Sequence, residues 1–145
     1  MSAAIKDLVR QSPFFNGVSD RTLEEIVRIA RKENFDEGDR VYELGDDAGD
    51  VYLVVSGRIR FSIGVGNRAG TDSPMEPGQA FGWAALIDER PRRVATAVCL
   101  EASTICVIPA RNLLELFDKD RASGYPVMRR LAGQITRDLL SVLAV

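Results

Sequence analysis

The segment FGWAALIDERPRRVATAV, residues 81–98, joins a glycine turn, an arginine pair and a strand-like run. Gly82 precedes small and apolar residues, which predict one short helical turn. The first amides of such a turn have no helical partners and can bind an anion. Arg93 stands at the base of the following strand, where its guanidinium can hold a phosphate through two hydrogen bonds. The spacing fits a pocket for one phosphate, but it fits equally well a surface loop with salt bridges among Asp88, Glu89, Arg90, Arg92 and Arg93.

Short strand-like runs surround this segment between residues 34 and 108. Gly and Asp clusters separate them at roughly eight to twelve residues, a spacing typical of a sandwich or jelly roll. In one run, apolar Ile59, Phe61 and Ile63 alternate with polar residues, which predicts one buried face. The four clearest runs are DVYLVVSG (50–57), RIRFSI (58–63), RVATAVC (93–99) and TICVI (104–108).

Helical periodicity replaces the strand pattern at both ends of the chain. We expect one domain over residues 1–145, with N-terminal helices in 1–33, the β-rich region in 34–108 and a pair of C-terminal helices in 109–145. The fold class predicted from this order is mainly β with flanking α.

The helix predicted over 20–32 has a clear start signal. Ser19 can cap it, and Thr22 with Glu25 resembles a capping box. Just before this helix, the aromatic pair at 14–15 is expected to fill a core.

The last predicted helix carries one apolar stripe. Its members, Val127, Leu131, Ile135, Leu139 and Val142, recur at helical spacing. The stripe fits packing against the domain's own barrel and, equally well, a dimer helix.

Charge and composition narrow the classes of partner. The 145-residue chain has a net charge of −2, which argues against nucleic acid or acidic lipid as a partner. Lys6 and Asp7 near the start argue against a signal peptide, and no apolar run approaches the roughly 20 residues of a membrane span. We therefore expect a cytoplasmic protein with no nucleic-acid or membrane partner.

The chain has no histidine, which removes histidine-based catalysis and most zinc and haem sites. The two cysteines, Cys99 and Cys106, are expected to be buried thiols in neighbouring strands, with a redox pair as the alternative. No nucleophile is paired with a base. We expect no enzymatic activity, no metal and no cofactor other than a possible regulatory ligand.

Two further motif-like pieces are expected to be turns. GVGNRAG, residues 64–70, is one residue off the dinucleotide fingerprint and is expected to be a hairpin loop. The acidic cluster of Asp46, Asp47 and Asp50 lacks the ligand spacing of an EF-hand and is expected to be a plain turn.

The cassette-like pieces PGQAFGWAAL and PRRVATAV resemble the phosphate-binding cassette of the cyclic-nucleotide-binding domain family, which includes the catabolite activator protein and protein kinase A regulatory subunits. The family pattern is Phe-Gly-Glu-x-Ala-Leu, a short spacer, then Arg-Ser/Ala-Ala. The matching residues are Phe81, Gly82, Ala85, Leu86 and Ala95. The resemblance covers nearly the whole chain and implies a β jelly roll, or double-stranded β-helix, flanked by helices.

The resemblance also selects one arginine of the pair. A spacing of ten from position 83, as in the bacterial activator, points to Arg93, whereas a spacing of nine points to Arg92. The register of the downstream strand favours Arg93.

Three departures from the family pattern bear on ligand binding. The family glutamate accepts the ribose 2′-hydroxyl, but Trp83 stands in its place and an indole only donates. Losing one charge-assisted hydrogen bond weakens binding by roughly 10- to 150-fold. Trp83 is expected either to stack on a ligand ring or to fill the pocket or core.

Val94 replaces a small or hydroxylated residue but keeps its backbone contacts. Val142 and Leu143 stand where the activator has hydroxyls, which predicts poor discrimination between adenine and guanine.

Two functions of different class follow. The first is a stand-alone sensor module that binds a cyclic mononucleotide, cAMP or cGMP, or a related phosphate ester, and signals to an effector protein through the C-terminal helix. The second is a degenerate module that binds no nucleotide and serves in homodimerisation or protein docking through residues 124–145. Ala84 and Ala85 are small enough to let a ligand approach the turn. The expected ligand-binding residues are Gly82, Trp83, Ala84, Ala85, Arg93 and Val94.

Overall fold

The computed structural model describes residues 2–62, 75–87 and 89–143. Within these ranges the chain forms five α-helices, one short 3₁₀ helix and seven strands. The helices are α1 (Ser2–Gln11), the 3₁₀ helix (Pro13–Phe15), α2 (Asp20–Ile29), α3 (Ala84–Ile87), α4 (Ala110–Lys119) and α5 (Arg121–Leu143). The strands are β1 (Arg31–Phe35), β2 (Arg40–Tyr42), β3 (Asp50–Ser56), β4 (Ile59–Ser62), β5 (Ala80–Phe81), β6 (Thr96–Cys99) and β7 (Ser103–Pro109).

The strands form two antiparallel sheets, with the order β1-β7-β3-β5 in one and β2-β6-β4 in the other. The predicted jelly roll with flanking helices is confirmed. Each of the four clearest runs became a strand. In β4 and β6 alternating residues bury one face, whereas β3 and β7 are buried on both faces. In β4, Ile59 and Phe61 are buried and Arg60 and Ser62 are exposed, as predicted. The remaining member of that pattern, Ile63, lies outside the described residues, as does the predicted hairpin loop at 64–70.

The first sheet separates two apolar cores. Alternate residues of β3 point to opposite sides: Val51 and Leu53 join the core beneath the helices, while Tyr52 and Val54 join the core between the sheets. We call these the helix-side core and the barrel core. The central strands β3 and β7 of this sheet are therefore buried on both faces.

Helix α2 begins where the sequence predicts and ends earlier. The Ser19 hydroxyl accepts a hydrogen bond from the Thr22 amide at 3.3 Å, which confirms the cap. The predicted capping box of Thr22 and Glu25 is wrong, because the Thr22 hydroxyl donates instead to Asp120 Oδ2 at 2.6 Å. The helix ends at Ile29, and strand β1 begins two residues later.

Asp120 joins the N-terminal and C-terminal helices, in the short link between α4 and α5. Its Oδ2 accepts hydrogen bonds from the hydroxyls of Ser19 at 2.7 Å, Thr22 at 2.6 Å and Ser123 at 2.6 Å. Together these hydrogen bonds, with that of Ser123 the largest contribution, hold the pKa of Asp120 well below its usual range. We call Ser19, Thr22, Asp120 and Ser123 the Asp120 joint.

The apolar stripe of α5 changes character along the helix. Val127 and Leu131 are fully buried in the helix-side core and Ile135 packs partly against it. Further along, Leu139 and Leu140 are 55% and 60% exposed. Among the described residues, no helix combines the length and the apolar character needed to cross a membrane.

The two cysteines are both buried and free, but they do not lie in neighbouring strands of one sheet. Cys99 in β6 faces the barrel core and Cys106 in β7 faces the helix-side core. The expectation of neighbouring strands is wrong because β6 and β7, although consecutive, belong to opposite sheets. Burial raises the pKa of the Cys106 thiol to about 11, which keeps this thiol in its unreactive form at neutral pH.

Candidate functional site

Strand β5 leads into a tight turn that we call the cassette turn, residues 82–87. Gly82 has a φ of +85°, a backbone conformation that glycine adopts without strain. The Ala85 amide donates to the Gly82 carbonyl at 3.4 Å and the Leu86 amide to the Trp83 carbonyl at 2.9 Å. Within the described ranges no backbone carbonyl accepts a hydrogen bond from the amide of Trp83 or of Ala84. The turn thus presents free N–H groups, as predicted.

The structure separates the two arginines at the end of the cassette. Arg92 lies at the surface, with a side chain 69% exposed, and its Nε is 3.4 Å from the Asp47 carboxylate. Arg93 is only 4% exposed and lies among the aromatic residues of the barrel core. The strand register that favoured Arg93 therefore identified the arginine that enters the barrel.

Protein groups already bind part of the Arg93 guanidinium. Nη1 donates to the Gly82 carbonyl at 3.0 Å, and Nη2 donates to the Asp50 carbonyl at 2.8 Å and to the Tyr52 hydroxyl at 3.4 Å. The alternative of a surface salt-bridge network does not hold for Arg93, which forms no ion pair within the described residues; Asp88 lies outside them. The side chain instead ties strand β3 to the cassette turn.

Two tyrosines complete the surroundings of this cation. The Arg93 guanidinium carbon lies 4.2 Å from the ring centroid of Tyr42 and 5.2 Å from that of Tyr52, distances at which a cation is attracted to an aromatic face. The Tyr52 ring also stacks on Phe81, with centroids 5.0 Å apart. Burial raises the pKa of both phenols, although the charge of Arg93 opposes the shift. Both tyrosines therefore stay protonated at neutral pH.

One atom of the guanidinium has no partner. Arg93 Nε is buried and makes no hydrogen bond within the described part of the chain. A buried donor without an acceptor is costly, and more so when it belongs to a cation. This N–H is therefore a position at which an anion would be stabilised.

The acidic residues near the site have local roles. Asp46 Oδ2 accepts from the Glu43 amide at 2.9 Å, and the Asp46 carbonyl accepts from the Arg93 amide at 2.8 Å. Asp47 faces Arg92, and the Asp50 carboxylate lies 3.9 Å from Arg31. The contacts of Asp46 with Arg93 and of Asp47 with Arg92 hold the 45–50 turn against the end of the cassette.

An open groove of about 640 Å³ lies against a different face of the cassette. Its lining includes Ala85 and Pro91 from the cassette and Ala110 and Leu114 from α4. Arg93 does not line it, so the groove is distinct from the surroundings of the guanidinium.

Comparison with known sequences assigns the chain to a family. The sequence model of the cyclic nucleotide-binding domain matches residues 32–120, more than half of the chain. The chain belongs to the cyclic nucleotide-binding domain family.

Relatives in this family cover most of the chain. The cyclic AMP receptor protein of Thermus thermophilus is 28% identical over 137 residues, which make up 94% of this chain and 57% of the relative. The cGMP-dependent protein kinase of Toxoplasma gondii is 34% identical over 104 residues, 70% of this chain and 10% of the relative. The chain thus spans little more than half of the first relative's length and a small part of the second.

Solved structures share the same fold. The sensor domain of the transcriptional regulator DNR from Pseudomonas aeruginosa has a TM-score of 0.80 at 17% identity, covering 95% of this chain and 93% of its own. The regulatory domain of Toxoplasma gondii PKA, crystallised with cAMP, has a TM-score of 0.71 at 23% identity, covering 79% of this chain and 44% of its own.

Trp83 stands at the glutamate position of the cyclic nucleotide-binding cassette, and the structure gives it a packing role. Its ring centroid is 4.0 Å from that of Phe14, and it packs against the helix-side core. Arg93, by contrast, contacts tyrosines of the barrel core. The structure thus shows Trp83 packed at the edge of the helix-side core and partly buried, and its stacking on a ligand ring stays a prediction.

The remaining expected site residues differ in how far they are exposed to solvent. Ala85 is buried and Ala84 is half-buried in the cassette turn. Val94 is 75% exposed, so its side chain points to solvent although it follows the buried Arg93 directly in the chain. The side chains of Val142 and Leu143, expected near a purine, lie outside the described residues.

Sequence reasoning missed Tyr42 and Tyr52. The alternation of DVYLVVSG placed Tyr52 on the face shared with Val54, opposite Val51 and Leu53, and this was the available signal. The signal says which face the ring occupies but not that Arg93 lies there.

Proposed function

We propose that this cyclic nucleotide-binding domain is a non-enzymatic regulatory module for a cyclic mononucleotide, cAMP or cGMP, or a related phosphate ester. The phosphate binds between the amides of the cassette turn, Gly82–Ala85, and the Arg93 guanidinium, with the Val94 backbone beside them. The proposed setting is the cytoplasm, with an effector protein as the downstream partner.

The observation that carries this proposal is the contact between Arg93 and the cassette turn. The 3.0 Å hydrogen bond from Nη1 to the Gly82 carbonyl holds a buried cation beside a turn whose first amides are free. Both features favour an anion at the same place. Because Trp83 supplies no acceptor for the ribose, we expect affinity in the micromolar to tens of micromolar range rather than tighter binding.

A chain of contacts supports signalling to α5. Trp83 packs on Phe14, and Arg130 of α5 donates to the carbonyls of Phe14 and Asn16. A ligand that repositions the cassette turn would therefore shift the segment around Phe14, to which Arg130 of α5 is hydrogen-bonded. We propose that this change alters what α5 contacts.

Calorimetric titration of nucleotide-stripped protein with cAMP and cGMP, with 5′-AMP as a control ligand, tests the proposal. We expect Arg93→Ala to weaken cyclic nucleotide binding by about 100-fold or more, since it removes charge-assisted hydrogen bonds to the phosphate. Arg93→Lys keeps the positive charge and is titrated alongside Arg93→Ala, so that a failure of the alanine variant to fold is not mistaken for a loss of the phosphate contact.

Arg92→Ala is the matched control, because Arg92 is the adjacent arginine and lies at the surface. It should bind like the wild type. Equal affinity of the Arg92 and Arg93 variants, or no heat from the wild type at millimolar ligand, would contradict the proposed function.

A second candidate rests on α5. Leu139 is exposed and continues a stripe whose first half is buried, and the adjacent Leu140 is exposed as well, which is the pattern of a helix surface open to a partner. We propose homodimerisation through this end of α5, which is compatible with either ligand-bound or ligand-free protein.

A further inference from the structure

The Arg93 guanidinium has one edge that protein groups satisfy poorly. Its Nε and Nη2 hydrogens lie side by side, the arrangement with which arginine grips two oxygens of a phosphate. Nε is buried without an acceptor. Nη2 keeps a good hydrogen bond to the Asp50 carbonyl at 2.8 Å, but its contact with the Tyr52 hydroxyl is long, at 3.4 Å.

The Tyr52 hydroxyl is itself an unused donor. It accepts from Arg93 Nη2, and its own proton has no acceptor among the described residues. Burial keeps the phenol protonated at neutral pH by raising its pKa. A protonated hydroxyl beside an arginine is a donor to any anion that the arginine binds.

Packing holds this hydroxyl in place. The residue is 7% exposed, its ring stacks on Phe81, and the ring edge lies against Gly82, where a Cβ would come within 2.7 Å. The Tyr52 ring is therefore held on one face by Phe81 and at its edge by the cassette turn.

We propose that Tyr52 is a ligand-contacting residue: its hydroxyl donates to one of the phosphate oxygens that the Nε–Nη2 edge of Arg93 binds. The inference rests on the proposed function and names a third donor for the same anion. In the bound state, the long contact between the Tyr52 hydroxyl and Arg93 Nη2 is replaced by one hydrogen bond from each of these two groups to the phosphate. Tyr42 contributes its ring to Arg93 and not its hydroxyl.

The test compares Tyr52→Phe with Tyr42→Phe by calorimetric titration with cAMP and cGMP. Both variants keep the ring over Arg93 and lose one hydroxyl. We expect Tyr52→Phe to bind about 10-fold more weakly, the effect of one hydrogen bond to a charged group, and Tyr42→Phe to stay within about twofold of the wild type. Thermal unfolding of the ligand-free variants verifies that both are folded.

The outcomes separate the two proposals. Wild-type binding that Tyr52→Phe leaves unchanged overturns the role of Tyr52 but not the proposed function. If the wild type binds neither nucleotide, the proposed function fails, and stabilisation against heat by inorganic phosphate becomes the readout. Phosphate must then raise the Tm of the wild type and of Tyr42→Phe more than that of Tyr52→Phe; absence of this difference overturns the inference.

Discussion

Gly82 determines how closely the cassette turn approaches the residues beneath it. Its φ of +85° is one that other residues adopt only with strain. A Cβ at this position would also lie 2.7 Å from Tyr52 Cδ2 and 3.1 Å from Arg93 Nη1. Both the backbone and the contact therefore require glycine.

Gly78 offers a matched control for these two effects, because it has a φ of +88° and open space where a Cβ would lie. We expect Gly78→Ala to lower the free energy of unfolding by about 1–2 kcal/mol through backbone strain alone. Gly82→Ala should cost at least about 1 kcal/mol more, because its methyl group overpacks the contact with Tyr52. Urea unfolding measures both. Equal losses would show that the turn moves away from Tyr52 freely.

Single residues also show how far the sequence could be interpreted. Arg93 was distinguished from Arg92 because strand register decides which of two adjacent side chains faces inward. The contact between Arg93 and Tyr52 was not predictable, since these residues are 41 positions apart and meet only when the cassette end packs against β3. The sequence could not show which core the Trp83 side chain packs against for the same reason, since its neighbour Phe14 lies far away along the chain.

Among the elements, the β-strands were more predictable than the connections between helices. The strands follow a two-residue period that is visible locally. The Asp120 joint has no such signature, because Ser19 and Thr22 are 101 and 98 positions from Asp120. The Thr22 hydroxyl, which the sequence pattern assigns to a capping box, belongs to this long-range contact.

The Asp120 joint should stabilise the packing of α2 on the α4–α5 link. We expect Asp120→Asn to lower the free energy of unfolding by about 1–2 kcal/mol, because the neutral amide accepts the three hydroxyl hydrogen bonds less strongly. Asp118→Asn is the control: it removes an exposed pair with Arg121, which should contribute no more than about 0.5 kcal/mol.

The same joint predicts a pH dependence. The pKa of Asp120 is lower in the folded chain than in the unfolded chain, so its stabilisation is fully present above the unfolded value of about 3.9. It is lost as the pH falls through the folded pKa. The stability difference between wild type and Asp120→Asn should therefore shrink as denaturant unfolding is repeated below about pH 4. A difference that stays constant there would exclude the carboxylate as its source.

At the scale of the whole molecule, α5 connects the buried core to an exposed surface. Val127 and Leu131 anchor the helix in the domain, while Leu139 and Leu140 remain open to solvent. A second copy of the helix would cover these leucines by the same apolar packing that anchors the first half.

Sedimentation analysis tests this dimer. We expect the wild type to be a dimer. The double variant Leu139→Glu with Leu140→Glu should have a dimer dissociation constant at least about 10-fold higher, because the new charges of each chain would be buried at the contact. Leu44→Glu is the control, since Leu44 is comparably exposed, at 49%, in the turn after β2. A wild-type chain that stays monomeric at high concentration would contradict this role of α5.

The chain contains a single tryptophan, and the fold places it where the cassette turn meets the N-terminal helices. Indole emission changes in colour and brightness with the polarity of its surroundings and with ring contacts. Trp83 is therefore a natural fluorescent probe at the contact between the cassette turn and Phe14, which we propose to change when a ligand binds. Movement of the cassette against Phe14 would be visible in real time in the unmodified protein, without a dye.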